Sequence, residues 1–196
     1  MQRGLSRDQG FGARALRTCS IVAAFALFGA AAAAPRSTVD GTPLPEFTQA
    51  SAAAWINSAP LTVAQLRGHV VLLHVWAFEC WNCYRSFPWL TALEDKYRSR
   101  GLISIGIHTP ELPQESDPAQ VIAKTKEFGV RHPVMLDNDY AYWRALDNHY
   151  WPAWYVVDAD GRIRKLVIGE AHAGDQRARS VEAAIDALLA EAAPPS

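Results

Sequence analysis

The chain has 196 residues, of which 49% are hydrophobic and 20% are charged, and its formal net charge is −1. This composition is typical of a folded protein with a packed core and excludes an intrinsically disordered chain. A nearly neutral chain offers no strongly basic surface, so we expect no nucleic acid among its partners.

Residues 1–34 have the composition of a secretory signal peptide. Four arginines and one acidic residue precede an uncharged, Ala-rich stretch of 14 residues from Ile21 to Ala34. A bilayer requires about 20 apolar residues, so this stretch is short for a permanent anchor, and we predict cleavage near Ala32 or Ala33. The protein is therefore expected to be exported, to the periplasm or another extracytoplasmic compartment. Without cleavage, the same stretch would tether it to the membrane.

Residues 35–45 contain three prolines and are predicted to form a linker or extended arm. We predict one domain over residues 46–192, followed by a short tail at 193–196. At the start of this domain, residues 60–69 favour a short strand and one helical turn that ends at Gly68.

Strands and helices alternate through the rest of the domain. Strands are predicted at 70–78, 102–108 and 132–138, and a β-hairpin at 153–169 with its turn at Asp160-Gly161. Helices are predicted at 80–100, 117–130, 140–148 and 179–193. The continuous apolar run at 70–78 is typical of a strand buried on both faces of a parallel sheet. Together these elements predict an α/β fold with a parallel core and an antiparallel edge.

Cys80 and Cys83 form a C-x-x-C pair where the first long strand gives way to a helix. A structural disulfide that closes so short a loop would contribute only about 2 kcal/mol, against about 4.7 kcal/mol for a 100-residue loop. A structural zinc site needs four ligands, and the six histidines form no compact cluster in the sequence. A Cu(I) site built on the two thiolates remains an alternative.

Redox exchange needs only what this pair supplies. At the start of a helix, the sulfur of Cys80 meets unpaired N–H groups and the helix dipole, which favour the reactive thiolate. Cys83 lies one turn later on the same face, where it can attack a mixed disulfide. A C-x-x-C pair in a βαβ setting is typical of thioredoxin-like redox proteins.

Several stretches besides the cysteine pair match a known group. "WINSAPLTVAQLRGHVVLLHVWAFECWNC", "GLISIGIHTPE" and "LDNDYAYWRALDNHYWPAWYVVDADGRIR" resemble the extracytoplasmic TlpA-like branch of the thioredoxin superfamily, and in particular the thioredoxin-like domain of DipZ-type proteins. The resemblance covers about residues 43–170. It implies a thioredoxin-like fold: a central mixed sheet with flanking helices and a C-terminal β-hairpin plus helix.

The resemblance also implies roles for individual residues. Cys80 would be the attacking cysteine and Cys83 the resolving one, while Pro152 would be a cis-proline opposite the pair. Trp151 would offer its backbone to a substrate chain, and Trp81, between the cysteines, would contact the substrate. Ordinary packing of the two tryptophans and a trans proline are the alternatives.

Two positions depart from the family pattern. His74 stands six residues before Cys80, where thioredoxins carry a buried acid that helps to move the proton of the resolving thiol. An imidazole can do acid–base work near neutral pH, although a simple core histidine is the alternative. Glu79 directly precedes Cys80, and its carboxylate would oppose thiolate formation unless it points to solvent.

These observations predict an exported thiol–disulfide oxidoreductase that acts on disulfide-bearing extracytoplasmic proteins. Its only redox group would be the Cys80–Cys83 pair, with no cofactor and no metal, and a membrane electron carrier would supply the electrons. We expect a monomer. The alternative is a Cu(I) metallochaperone that uses Cys80 and Cys83, and a peroxidase is less consistent with the C-x-x-C spacing.

Overall fold

Within residues 40–192, which the computed structural model describes, seven strands form one mixed sheet. In chain order the strands are β1 (Thr42–Pro43), β2 (Trp55–Ile56), β3 (Val71–Trp76), β4 (Ile103–His108), β5 (Val134–Leu136), β6 (Ala153–Val157) and β7 (Arg162–Ile168). They lie in the order β1-β7-β6-β3-β4-β5-β2. The β3, β4 and β5 strands are parallel, and all other neighbours are antiparallel. The predicted mixed sheet with a C-terminal hairpin is therefore confirmed.

Four α-helices connect or follow these strands in the described residues. They are α1 (Trp81–Tyr97), α2 (Pro118–Glu127), α3 (Ala141–Ala145) and α4 (Gln176–Ala192). The α2 helix begins as predicted, because the Asp117 side chain accepts a hydrogen bond of 2.9 Å from the Ala119 amide and Pro118 occupies the first helical position. Each of the four predicted helices is present, with shifts of a few residues at the ends.

The sheet separates two apolar layers. Alternate side chains of β3 point to opposite faces, so Leu72 and Trp76 pack with α1 and α4 while Leu73 and Val75 pack with α3 and the N-terminal segments. Every residue of β3 is buried. The strand that leads to Cys80 is thus fixed from both sides, as its apolar sequence predicts.

The N-terminal part of the domain differs from the prediction. No strand forms at residues 60–62, where Thr62 caps a short 3₁₀ turn at Val63–Leu66. Gly68 ends this turn with a φ of 82°. The neighbouring strand is instead β2, and the predicted arm contributes β1, which pairs with β7. Strands of two residues are too short to show an alternating pattern, which explains why both were missed.

The predicted signal peptide at 1–34 and the tail at 193–196 lie outside the described residues, so both stay predictions. None of the helices in residues 40–192 combines the length and the apolar character that crossing a bilayer requires.

Candidate active site

Cys80 occupies the N-cap of α1, four residues after the end of β3. Its Sγ accepts a hydrogen bond of 3.3 Å from the backbone N–H of Cys83. In the reduced protein this donor and the positive end of the helix dipole stabilise a negative charge on the sulfur. The local fold therefore favours the thiolate form of Cys80, which is the nucleophilic form.

Cys83 lies in the first turn of α1 and is joined to Cys80 by a disulfide, with their Cα atoms 5.2 Å apart. Cys83 is 2% exposed and Cys80 is 7% exposed, so the first cysteine is the more accessible of the two. An order of attack that begins at Cys80 is compatible with this difference.

Pro152 directly precedes β6, and the Trp151–Pro152 peptide bond is cis. Because Ala153 pairs with Val75 near the end of β3, this proline lies beside the strand that leads to the cysteine pair. Its proposed role in substrate binding stays a prediction.

The two tryptophans that the sequence singled out have different surroundings. Trp81 is 64% exposed and stacks on Tyr84, with 5.5 Å between ring centroids. Trp151 is partly buried: its indole N–H donates to the Thr109 carbonyl (2.9 Å), and its ring lies 4.1 Å from that of Trp143. Trp81 is thus largely exposed whereas the ring of Trp151 is packed, and the substrate-binding roles of both residues stay predictions.

The side chain of Glu79 points to solvent, the arrangement in which its carboxylate does not oppose thiolate formation at Cys80. This side chain is exposed and accepts a hydrogen bond from the Gln114 amide group at 3.1 Å. Solvent therefore screens this charge from the sulfur of Cys80.

Glu115 is a residue of this site that sequence reasoning missed. The carboxylate is fully buried and accepts three backbone N–H groups, from Glu79 at 2.8 Å and from Glu111 and Leu112 at 2.7 Å each. It thereby ties the residue before Cys80 to the loop that follows β4. The contact with Leu112 belongs to a local helix cap, but the contact with Glu79 spans 36 residues and left no local signal.

His74 lies in the middle of β3 and is 1% exposed. Its Nε2 atom is hydrogen-bonded to Nε2 of His132 at 2.8 Å, and its ring stacks on Trp154 with 5.5 Å between centroids. Burial, followed by the charge that His132 can carry, holds the pKa of His74 well below its usual value. His74 is therefore neutral at physiological pH.

The position of His74 relates it to Cys83 through α1. Its ring centroid lies 6.1 Å from that of Phe87, and Phe87 follows Cys83 by four residues on the same face of the helix. His74 thus packs against the face of α1 that carries Cys83. Its part in catalysis stays a prediction.

The disulfide, the helix cap and the mixed sheet can be compared with known proteins. The model of the Redoxin family matches residues 39–185. Protein DipZ of Mycobacterium tuberculosis (strain CDC 1551 / Oshkosh) is 40% identical over 119 residues, which are 59% of this chain but only 17% of DipZ. The chain thus spans less than a fifth of the length of that relative.

Two further relatives match over nearly their whole length. Thiol-disulfide oxidoreductase YkuV of Bacillus subtilis (strain 168) is 31% identical over 150 residues, covering 76% of this chain and 95% of YkuV. The solution structure of a thioredoxin-like protein in its oxidized form is similar with a TM-score of 0.65 and 29% identity, covering 79% of this chain and 99% of that one. The chain therefore belongs to the Redoxin family, in the TlpA-like branch of the thioredoxin superfamily.

Proposed function

We propose that this protein is an exported thiol–disulfide oxidoreductase that exchanges disulfides in extracytoplasmic partner proteins. The observation that carries the proposal is the position of Cys80 at the N-cap of α1, disulfide-bonded to Cys83. The Cys83 amide and the helix dipole stabilise the leaving and attacking thiolate of Cys80 in either direction of exchange.

Reduction of a partner would proceed in two steps. The Cys80 thiolate attacks one sulfur of the partner's disulfide, so that a bond from Cys80 to the partner forms, the partner's disulfide breaks, and its other sulfur leaves as a thiolate. Cys83 then loses its proton and attacks the Cys80 sulfur. This closes the Cys80–Cys83 disulfide and releases the second partner thiolate, so two electrons have passed to the partner.

Other site residues would orient the partner and move the proton. Trp151 and Pro152 would hold an extended segment of the partner against the cysteines, and the exposed ring of Trp81 would pack on it. His74 would accept the proton of Cys83, because a neutral imidazole is a base. Electrons that regenerate the dithiol would come from a membrane electron carrier.

Trapping of mixed disulfides tests the assigned order of attack. Cys83→Ser leaves the attack by Cys80 intact but removes the second step, so it should accumulate reducible covalent adducts with partner proteins. Cys80→Ser, the matched control, should accumulate none. The measurement is a non-reducing gel of acid-quenched extract from a host that exports the full chain.

Two results would contradict the proposal. Equal trapping by both variants, or trapping by Cys80→Ser alone, would reverse or remove the assigned roles. Absence of trapping by either variant, together with loss of tight Cu(I) binding in both, would favour the metallochaperone instead.

A further inference from the structure

Three titratable side chains from different parts of the chain form a continuous buried row. His74 Nε2 is hydrogen-bonded to His132 Nε2 at 2.8 Å. His132 Nδ1 lies 2.6 Å from Oε1 of Glu94, an ion-pair distance at which the two atoms do not meet the angles of a hydrogen bond. His74 comes from β3, Glu94 from α1, and His132 from the loop before β5. The exposed fractions are 1%, 8% and 8% for His74, His132 and Glu94.

The backbone around this row leaves room for it. Gly106 pairs with His74 across β3 and β4, and a Cβ atom at this position would lie 3.1 Å from His74 Nε2 and 3.2 Å from His132 Nε2. Contacts of this length are tighter than the usual van der Waals contacts of a Cβ atom in a packed core. A side chain at this position would therefore require the two imidazoles to shift by a few tenths of an ångström.

The row connects the buried layer beneath Cys83 with solvent. At one end, the His74 ring packs against Phe87, one turn beyond Cys83 in α1. At the other end, Glu94 and His132 line an open cleft of about 280 Å³ that also includes Arg98. Solvent can reach Glu94 and His132 there, whereas His74 is enclosed.

We propose that His132 and Glu94 form a proton relay that carries the proton of Cys83 from His74 to solvent, an inference that rests on the proposed function. Cys83 gives its proton to His74 at Nδ1, while the proton on Nε2 of His74 passes to Nε2 of His132. His132 releases its Nδ1 proton to Glu94 or to water in the cleft. Each imidazole gains one proton and loses one, and the Cys83 thiolate is left to attack Cys80.

Electrostatics favours this direction of transfer. Burial lowers the pKa of His74, and the neighbours described on the adjacent strands, Gly106 in β4 and Trp154 in β6, carry no charge that would stabilise a proton on it. His132, in contrast, has the Glu94 carboxylate beside it as the next acceptor on the path to the cleft. Arg98 and Arg131, which line the same cleft, both pair with Asp95.

The test separates the two chemical steps with Ellman's reagent, a small aromatic disulfide. Under single-turnover conditions, the reduced full-length protein, in a Cys19→Ser background that leaves Cys80 and Cys83 as its thiols, should release one coloured thiolate when Cys80 attacks and a second when Cys83 resolves the mixed disulfide. His132→Gln keeps a hydrogen-bonding side chain but cannot carry a proton. We expect it to slow the second phase by about tenfold and to leave the first phase unchanged.

The pH profile distinguishes a relay from a packing role. The second phase in the wild type and in His132→Gln should respond differently to pH, because only the wild type can pass the proton of Cys83 through His132. The exposed His149→Gln is the matched control and should change neither phase. Glu94→Gln, which keeps the shape of the carboxylate, should slow the second phase to a smaller extent. If His132→Gln does not fold, the rate of this phase in Glu94→Gln tests the relay instead.

Each negative result has a separate meaning. If the wild type releases no second thiolate, the role of Cys83 in the proposed function is wrong. If the wild type shows both phases but the second phase and its pH profile are the same in His132→Gln, or in Glu94→Gln where only that variant folds, the relay is wrong and the proposed function stands. Equal slowing of both phases would assign the row a structural role and overturn the relay.

Discussion

Two hydrogen bonds position the backbone around the cysteine pair. The Cys83 amide donates to Cys80 Sγ from within α1. Glu115 binds the amide of Glu79 from the loop after β4 and is fully buried. Because Glu79 precedes Cys80, the carboxylate fixes the direction in which the chain enters the helix, and so the position of the reactive sulfur.

Replacement of Glu115 tests this contact at the residue scale. Hydrogen bonds to a charged group contribute about 1.5–3 kcal/mol each, and Glu115→Gln places an NH₂ group against at least one of the N–H donors. We expect this variant to lower the free energy of unfolding by about 2 kcal/mol or more, measured by urea denaturation. We also expect slower alkylation of Cys80.

The exposed Glu111→Gln, in the same loop, is the control and should lie within about 0.5 kcal/mol of the wild type. If Glu115→Gln were as stable as this control, the three hydrogen bonds would not be holding the loop.

At the scale of elements, the short strand β1 makes the N-terminal segment part of the domain. Gly41 and Leu44 donate their amides to the carbonyls of Ile163 and Gly161, and Leu44 is only 6% exposed. The Asp40 carboxylate also pairs with Arg164 at 3.2 Å. These contacts cover the edge of β7, which would otherwise present unpaired backbone groups to other chains.

Leu44→Ala distinguishes an integral strand from a loose linker. Removing a buried leucine side chain from a core costs about 2–5 kcal/mol, whereas a flexible linker would lose nothing. We therefore expect a lower midpoint of thermal unfolding, measured by circular dichroism. Thr42→Ala, at an exposed position of the same strand, should leave the midpoint nearly unchanged. Identical midpoints for both variants would place Leu44 outside the cooperative unit.

For the whole molecule, buried histidines make stability depend on pH. His108 is fully buried, packs on Trp76 and Phe78, and burial lowers its pKa from 6.5 to about 3. Burial lowers the pKa of His74 in the same direction. Below pH 6.5 these histidines bind protons in the unfolded chain but not in the folded protein. Their contribution to stability is therefore fully present above pH 6.5 and is lost as the pH falls toward 3.

His108→Phe should reduce this loss. The wild type is expected to lose about 2 kcal/mol at pH 5 through His108 alone, since one pH unit within the window corresponds to about 1.36 kcal/mol. Both ring nitrogens of His108 lack a hydrogen-bond partner among the described residues, so a phenyl ring can replace the imidazole without an unpaired group. Denaturation at several pH values measures the difference.

The benefit of His108→Phe should fade above pH 6.5, where the unfolded histidine is also neutral. Asp137, whose pKa burial raises, works in the opposite direction and is common to both proteins. A difference between the two proteins that does not change with pH would show that His108 binds its proton as readily in the folded protein as in the unfolded chain, contrary to this prediction.

The sequence by itself determined the family, the order of the main strands and helices, and the cysteine pair. These features are local: the apolar run of β3, the Asp117 cap of α2 and the C-x-x-C spacing each reflect interactions within a few residues. Where the chemistry of neighbouring residues decides the structure, the spacing of those residues is enough to predict it.

Only the tertiary structure decided which distant polar groups meet. His132 lies 58 residues from His74, and Glu115 lies 36 residues from Glu79, so neither contact leaves a periodic pattern in the chain. Both contacts depend on the lateral order of the parallel strands, and the contact between the histidines also uses the space that Gly106 leaves beside them. Strand order arises from packing of the whole core, and a buried polar side chain can be assigned a partner only after that packing brings one within hydrogen-bonding distance.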